Sequence, residues 1–287
     1  MIASVDLSTW PVRMGVIPGD PVLLTADVTR LSWLMRRQGA RQAPRALLDA
    51  FLAHLGPQGT LVVPTFNHDL RPGDAFDRRN TPTITGVLGQ AALEHPAFIR
   101  TAHPLHSFAV AGALTSDFLG ANDDSSFGAR SPFALFRTHR FTLIGIDMHL
   151  NQAMSYFHHV EEQQTVPYRH WRSFPIRYTD RDGATRERTF RLYAKRKGYA
   201  NELSALIPLL QGPGAQVDGR VDGVPYLRVD LGAAHEVIER DIRSNRARSI
   251  VRFTWRNWLR DLWQGLRPPP SPTRTEQLIR DRDARTR

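Results

Sequence analysis

The chain of 287 residues has no cysteine. Disulfides, thiolate metal sites, iron–sulfur clusters and a cysteine nucleophile are therefore excluded. A covalent intermediate would have to form on Ser, Thr, His or a carboxylate. The sequence also lacks any apolar run near the roughly 20 residues that span a bilayer. No basic segment followed by an apolar one opens it, so the cytoplasm is the expected location. Internal repeats are missing too.

Hydrophobic residues make up 41% of the chain, which is ordinary for a globular protein with a sizeable core. The formal charge is +10, and it is unevenly spread. Residues 240–287 hold 13 Arg against 5 Asp or Glu, which leaves the body nearly neutral.

Residues 15–66 alternate strand and helix patterns. Val22-Leu23-Leu24 is an apolar strand after the turn Pro18-Gly19-Asp20. Ala46–Leu52 has helical spacing and runs towards Gly56. Thr60–Pro64 and Phe141–Ile146 read as buried strands, and Gly86–His95 as a helix. The expectation is an α/β fold, a sandwich with a central mixed sheet flanked by helices. Residues 67–85 form a long polar loop, of a kind that is often functional. Residues 173–232 change character and read as a small appended α+β segment. That segment holds a hairpin turned at Asp182-Gly183 and a strand at Tyr226–Asp230. The domain reading is a catalytic unit over 1–240 and a basic tail over 241–287.

Chemistry concentrates in Ser155-Tyr156-Phe157-His158-His159-Val160-Glu161-Glu162. On a helix, positions three and four apart are neighbours. A hydroxyl and a carboxylate would then flank His158, as around an oriented general base. Glu161 and Glu162 both reach by spacing. His159 falls off that face and reads as packing or surface. A structural histidine, or a metal site of His158, His159, Glu161 and Glu162, are the other readings of this run.

Further segments come in a fixed order with this run. They are Gly59–Phe66, Phe76-Asp77-Arg78-Arg79-Asn80-Thr81-Pro82, Thr85-Gly86, Arg100–Ser107, Phe127–Pro132 and Leu143–Asp147. As an ordered set over about residues 15–165, the chain resembles the aminoglycoside 3-N-acetyltransferase family. The resemblance implies acetyl-CoA as co-substrate, an amino-sugar or aminoglycoside acceptor, an α/β sandwich and no metal. The family's Thr-x-x-His-x-x-Glu pattern falls on Ser155, His158 and Glu161. Its Arg-Ser-x-His-Pro-x-x-Ser pattern falls on Arg100, Thr101, His103, Pro104 and Ser107. His158, Glu161, Ser155 and His103 become the catalytic candidates. Thr25, Thr65 and Ser107 become the coenzyme contacts. Asp77 and Asp147 become the contacts for an ammonium group of the acceptor. One departure stands out, because the family carries His-Ser-Ser after the first strand and this chain has Thr25-Ala26-Asp27.

The implied function is acetyl transfer by direct attack of an amine. The competing reading is a non-catalytic relative, a binding or membrane-associated protein of glycan assembly, in which Asp27 obstructs the coenzyme. Residues 248–266 read as a basic amphipathic helix ended by Pro268-Pro269-Pro270. Its apolar stripe either packs on the body, which is the preferred expectation, or lies on the inner membrane as a peripheral contact. Nucleic acid is not expected as a partner, because no base-reading module is visible. The residues after the prolines are expected to be disordered. A monomer or a homodimer fits the sequence equally.

Overall fold

In the computed structural model, the described residues are 5–266 and 272–285. Twelve strands lie among them: β1 Pro21–Ala26, β2 Thr60–Pro64, β3 Ala75–Asp77, β4 Ile99–Arg100, β5 Phe108–Gly112, β6 Thr142–Ile146, β7 Arg169–Thr179, β8 Thr185–Lys195, β9 Tyr199–Asn201, β10 Gln216–Val221, β11 Val224–Asp230 and β12 Val251–Phe253. The helices are α1 Trp10–Arg13, α2 Thr29–Arg37, α3 Ala43–Leu55, α4 Val87–Glu94, α5 Thr115–Gly120, α6 Pro132–Thr138, α7 Leu150–Ala153, α8 Phe157–Gln163, α9 Ile207–Gln211, α10 Leu231–Asn245, α11 Trp255–Leu266 and α12 Arg274–Arg285.

The main sheet is mixed, with strand order β10-β11-β6-β1-β2-β5-β4. Only β1 pairs in parallel, with β2 on one side and β6 on the other. Side chains alternate across the pleat. Val22, Leu24, Ile144 and Ile146 enter one core, and Leu23 and Leu143 enter the other. Both faces are thus buried, which explains why these strands read as continuous apolar runs. The aromatic core beneath Phe108, Phe133 and Phe136 supports the loops of the site.

The expected hairpin is present and longer than its apolar pattern. β7 and β8 pair from Arg169↔Lys195 to Thr179↔Thr185, with Gly183 at φ +88° in the turn. β3 adds to it as a third strand over a small core of Phe76, Phe174, Ile176 and Phe190. The reading of 173–232 as one appendage needs correction. β11 lies antiparallel to β6 in the main sheet, because Leu227 and Val229 bury their side chains in the main core.

The C-terminal segment also differs from the sequence reading. Val251–Phe253 is a strand against β9, and the helix starts only at Trp255. Thr254 caps it, accepting the Asn257 N–H at 3.1 Å. The three prolines lie outside the described residues. Residues 274–285 are helical rather than disordered. A Thr273–Glu276 capping box opens this helix. The buried Thr275 hydroxyl donates to Asp69 and accepts from Asn67.

Candidate active site

Strand ends set the place. The carboxyl ends of parallel strands leave a crevice where α/β folds bind ligands. Here β1 contributes Leu24, Thr25 and Ala26, and β2 contributes Val63 and Pro64, to a cleft of about 250 Å³. Leu88, Met148, Gln152 and Ser155 close its sides. Gly89 lets α4 approach, since a Cβ there would sit 2.7 Å from both Pro64 O and Thr85 Oγ1. The walls are mainly apolar, with Thr25, Thr85, Ser155, Gln152 and His68 as the polar residues among them.

Ser155 sits in the turn before α8, and the His158 N–H bonds its carbonyl at 3.2 Å. His158, the second residue of α8, is therefore one turn from the cleft wall. Its Nδ1 lies 2.7 Å from Glu161 Oε2 and 2.6 Å from Arg169 Nη2. Arg169 Nη2 is also 2.6 Å from the same carboxylate oxygen. A guanidinium only donates, so the proton on Nδ1 decides the arrangement. A carboxylate accepts more strongly than a neutral imidazole. Nδ1–H therefore points at Glu161, and Nε2 keeps its lone pair.

Burial pushes the His158 pKa down to about 4, and the Arg169 charge adds to that; Glu161 offsets only part. The imidazole is thus neutral at pH 7, the form that can take a proton. Burial alone would raise the Glu161 carboxyl. Its bonds to His158 and Tyr168 and the Arg169 charge outweigh burial and hold it lowered. Glu161 is fully buried, with Tyr168 Oη donating to its other oxygen at 2.9 Å.

Glu162, the rival partner by spacing, faces elsewhere. Both of its oxygens accept from Ser125 Oγ, at 2.7 and 2.8 Å. Burial raises its pKa to about 7. His159 Nδ1 donates to Phe127 O at 2.8 Å. Together they clamp the 123–127 loop onto α8 and set the Phe127 ring 5.1 Å from His158. Among the described residues, no group of three His, Asp or Glu side chains converges as metal ligands.

Several expected site residues serve the frame instead. His103 is buried, its Nδ1 accepting from the Leu105 and His106 N–H groups. Its Nε2 faces Asp124 O, so both ring nitrogens are spent in loop contacts. Thr65 and Ser107 are completely buried. Ser107 Oγ accepts from Arg100 Nε and donates to Thr65 O. Neither residue is among those that line the cleft, and both hydroxyls are bonded beneath it. The Arg100 guanidinium ties Thr65, Asn67, Thr81 and Ser107 together, with no carboxylate partner among the described residues. Burial lowers its pKa to about 9.

Asp77 accepts the Arg79 and Asn80 N–H groups and so spends its carboxylate inside its own turn. Asp147, at φ +51°, is paired with Arg30 at 2.9 Å. Its charge is already answered. Thr25 is the expected coenzyme contact that does line the cleft. Asp27 does not line it: the side chain is exposed and accepts the Thr29 N–H at 2.9 Å. Sequence reasoning missed Arg169 and Tyr168. They follow Pro167 with no periodicity to mark them as inward-facing.

Comparison with known proteins bears on the family and the fold. The family model for aminoglycoside 3-N-acetyltransferases matches residues 24–242, well past the segment that carried the sequence resemblance. Aminoglycoside N(3)-acetyltransferase IV from Salmonella sp is 29% identical over 162 residues, 54% of this chain and 57% of that protein. The match thus spans little more than half of that relative's length. The structure of aminoglycoside acetyltransferase AAC(3)-Xa superimposes with a TM-score of 0.69 at 22% identity, over 82% of this chain and 90% of the other. AAC-IIIb in binary complex with CoASH gives 0.71 at 18% identity, over 83% and 95%. At those identities the structures show a shared fold. With the family model covering most of its length, this chain belongs to the aminoglycoside 3-N-acetyltransferase family.

Proposed function

We propose that the protein is an acetyl-CoA-dependent N-acetyltransferase acting on an amine of an aminoglycoside or related amino sugar. His158 is its general base, and Glu161 is the partner of that base. The observation that carries this reading is the buried His158–Glu161 contact, one turn from Ser155 at the cleft wall. Two similar structures support it. AAC-IIIb holds CoASH, and AAC-VIa is bound to sisomicin.

Acetyl-CoA supplies an acetyl group already activated as a thioester. Its narrow pantetheine arm suits the cleft, where Leu24, Val63 and Leu88 offer apolar walls. His158 Nε2 takes a proton from the acceptor's ammonium, which frees the amine to attack the thioester carbon; the C–S bond then breaks, and the second proton lost from the nitrogen leaves on the coenzyme thiol. Glu161 stabilises the imidazolium that results, as the carboxylate of a triad does. The Ser155 hydroxyl can donate to the oxygen that becomes negative. Tyr168 and Arg169 fix Glu161, which in turn holds the His158 ring through Nδ1.

The non-catalytic alternative requires Asp27 to obstruct the coenzyme. Its carboxylate is instead turned to Thr29 and away from the cleft, so no observation favours that reading.

The test is thiol release from acetyl-CoA in the presence of sisomicin or apramycin. Wild type should turn over. His158→Ala should lose about 10²-fold or more in kcat if the residue is the base. A loss below about threefold would remove His158 from that role. Micromolar acetyl-CoA binding without turnover on either amine would keep the coenzyme site and reject these acceptors.

A further inference from the structure

The sequence reading preferred to pack the apolar stripe of α11 on the protein body. The structure does so only in part: Val251 packs on the core and Trp258 and Leu262 are half-buried, but Trp255 and Leu259 are exposed. Asp261 accepts the Gly198 N–H at 2.9 Å, and Trp258 packs beside Gly198. Thr254 caps the helix and donates its own N–H to Gly198 O. These contacts fix which side of α11 meets the body. The opposite side carries Trp255, Leu259 and Trp263, which are 69%, 51% and 67% exposed. Positions 255, 259 and 263 are spaced i, i+4, i+8 and form one continuous ridge. Phe253, just before the helix, extends it and is 42% exposed. Isolated exposed apolar side chains are ordinary, but a ridge of four large ones signals an interaction surface.

Charge selects the occupant. Arg256 and Arg260 run along one flank of the ridge, and Arg252 lies at its start; all three are exposed. Among the described residues, Arg260 has only the neighbouring Asp261 as an acidic partner, and Arg252 and Arg256 have no ion pair. An antiparallel two-fold pairing of this face with a second copy would set arginine row against arginine row. A surface of anionic headgroups over an apolar layer answers both features. Tryptophans settle at the headgroup level, and arginines pair with phosphates at the edge.

We propose that Phe253–Trp263 is a docking face for an anionic lipid surface, with α11 lying in the plane of the interface. No helix among the described residues is long and apolar enough to cross a membrane, so the contact is peripheral. This proposal does not rest on the catalytic reading.

The experiment is co-sedimentation of the full chain with vesicles of phosphatidylcholine alone and of phosphatidylcholine mixed with phosphatidylglycerol. Binding is expected to the mixed vesicles, weakened by added salt, with a blue shift of tryptophan emission. Arg256→Ser with Arg260→Ser should weaken the partition about tenfold or more. Trp255→Ser with Trp263→Ser should abolish the blue shift. All four positions are exposed, so the fold should survive, which circular dichroism checks. Three results would overturn the proposal: no binding to mixed vesicles, equal binding to neutral vesicles, or a dimer in solution that the tryptophan variant dissociates.

Discussion

Arg169 is the residue on which the chemistry of the site turns. It is buried, bonds the Tyr193 carbonyl through Nη1, and aims Nη2 at the point where Glu161 and His158 meet. Two effects follow from one charge. The guanidinium keeps Glu161 ionised, and it disfavours a second positive charge on His158. Arg169→Met should therefore raise the His158 pKa from about 4 towards the ordinary 6.5. NMR titration of the His158 ring proton, assigned by its loss in His158→Ala, reads this directly. A midpoint that stays put in a folded variant would reduce Arg169 to a packing role. Breaking a buried pair commonly costs about 3–5 kcal/mol, so Arg169→Lys is the companion variant that keeps the charge. At this scale the sequence was only partly legible. The hydroxyl, imidazole and carboxylate at three-residue steps pointed to the His158–Glu161 contact that the structure contains. Nothing local marked Arg169, because its partners come from a different element. Thr65, Ser107 and His103 bond within the frame, which spacing could not show for a related reason. Spacing shows that polar residues belong together, but not whether they face a ligand or each other.

The element that departs most from expectation is α12. Its sequence is strongly charged, and composition alone argued for disorder. The signal that mattered was shorter: Thr273-Arg274-Thr275-Glu276, a capping box that starts a helix whatever follows. Thr275 then fastens the helix to the 67–83 loop through Asp69 and Asn67. Asn67 in turn accepts from the buried Arg100, so the clasp reaches the network under the cleft. Thr275→Ala would leave Asn67 Nδ2 and Asp69 short of a partner. A loss of about 1–3 kcal/mol is expected, read as a lower melting temperature. Faster proteolytic cleavage within 67–83 should accompany it. Unchanged melting and cleavage would show that α12 rests on the body without restraining it. β1, β2 and β6 were legible because burial on both faces makes them uniformly apolar. β11 was assigned to the wrong unit because its partner, β6, lies about 80 residues earlier in the chain. Pairing over such a distance leaves no local trace.

Across the whole molecule, the cores are unusually rich in neutral imidazole. Burial lowers His103, His158 and His235 to about 4, holds His106 well below its usual value, and lowers His159 as well. An unfolded histidine protonates near 6.5, while these folded ones do not. Between pH 6.5 and about 4 the unfolded chain therefore binds more protons, and stability falls as the pH falls. Glu162 acts in the opposite sense. Its folded pKa of about 7 lies above the unfolded value, so acidification to pH 4.5 relieves a buried charge and adds stability. One carboxyl cannot balance several imidazoles of similar shift. From pH 7 to pH 5 the net loss should be on the order of 4 kcal/mol, a large part of the stability of an ordinary domain. Urea unfolding at pH 7, 6 and 5 checks this. The midpoint should move steadily to lower urea, and a midpoint that held or rose would mean that the imidazoles are solvated in the folded protein. The same burial that makes the protein acid-sensitive keeps His158 in its basic form at neutral pH. The acid limit of the fold and the neutral state of His158, the proposed base, thus share one physical cause.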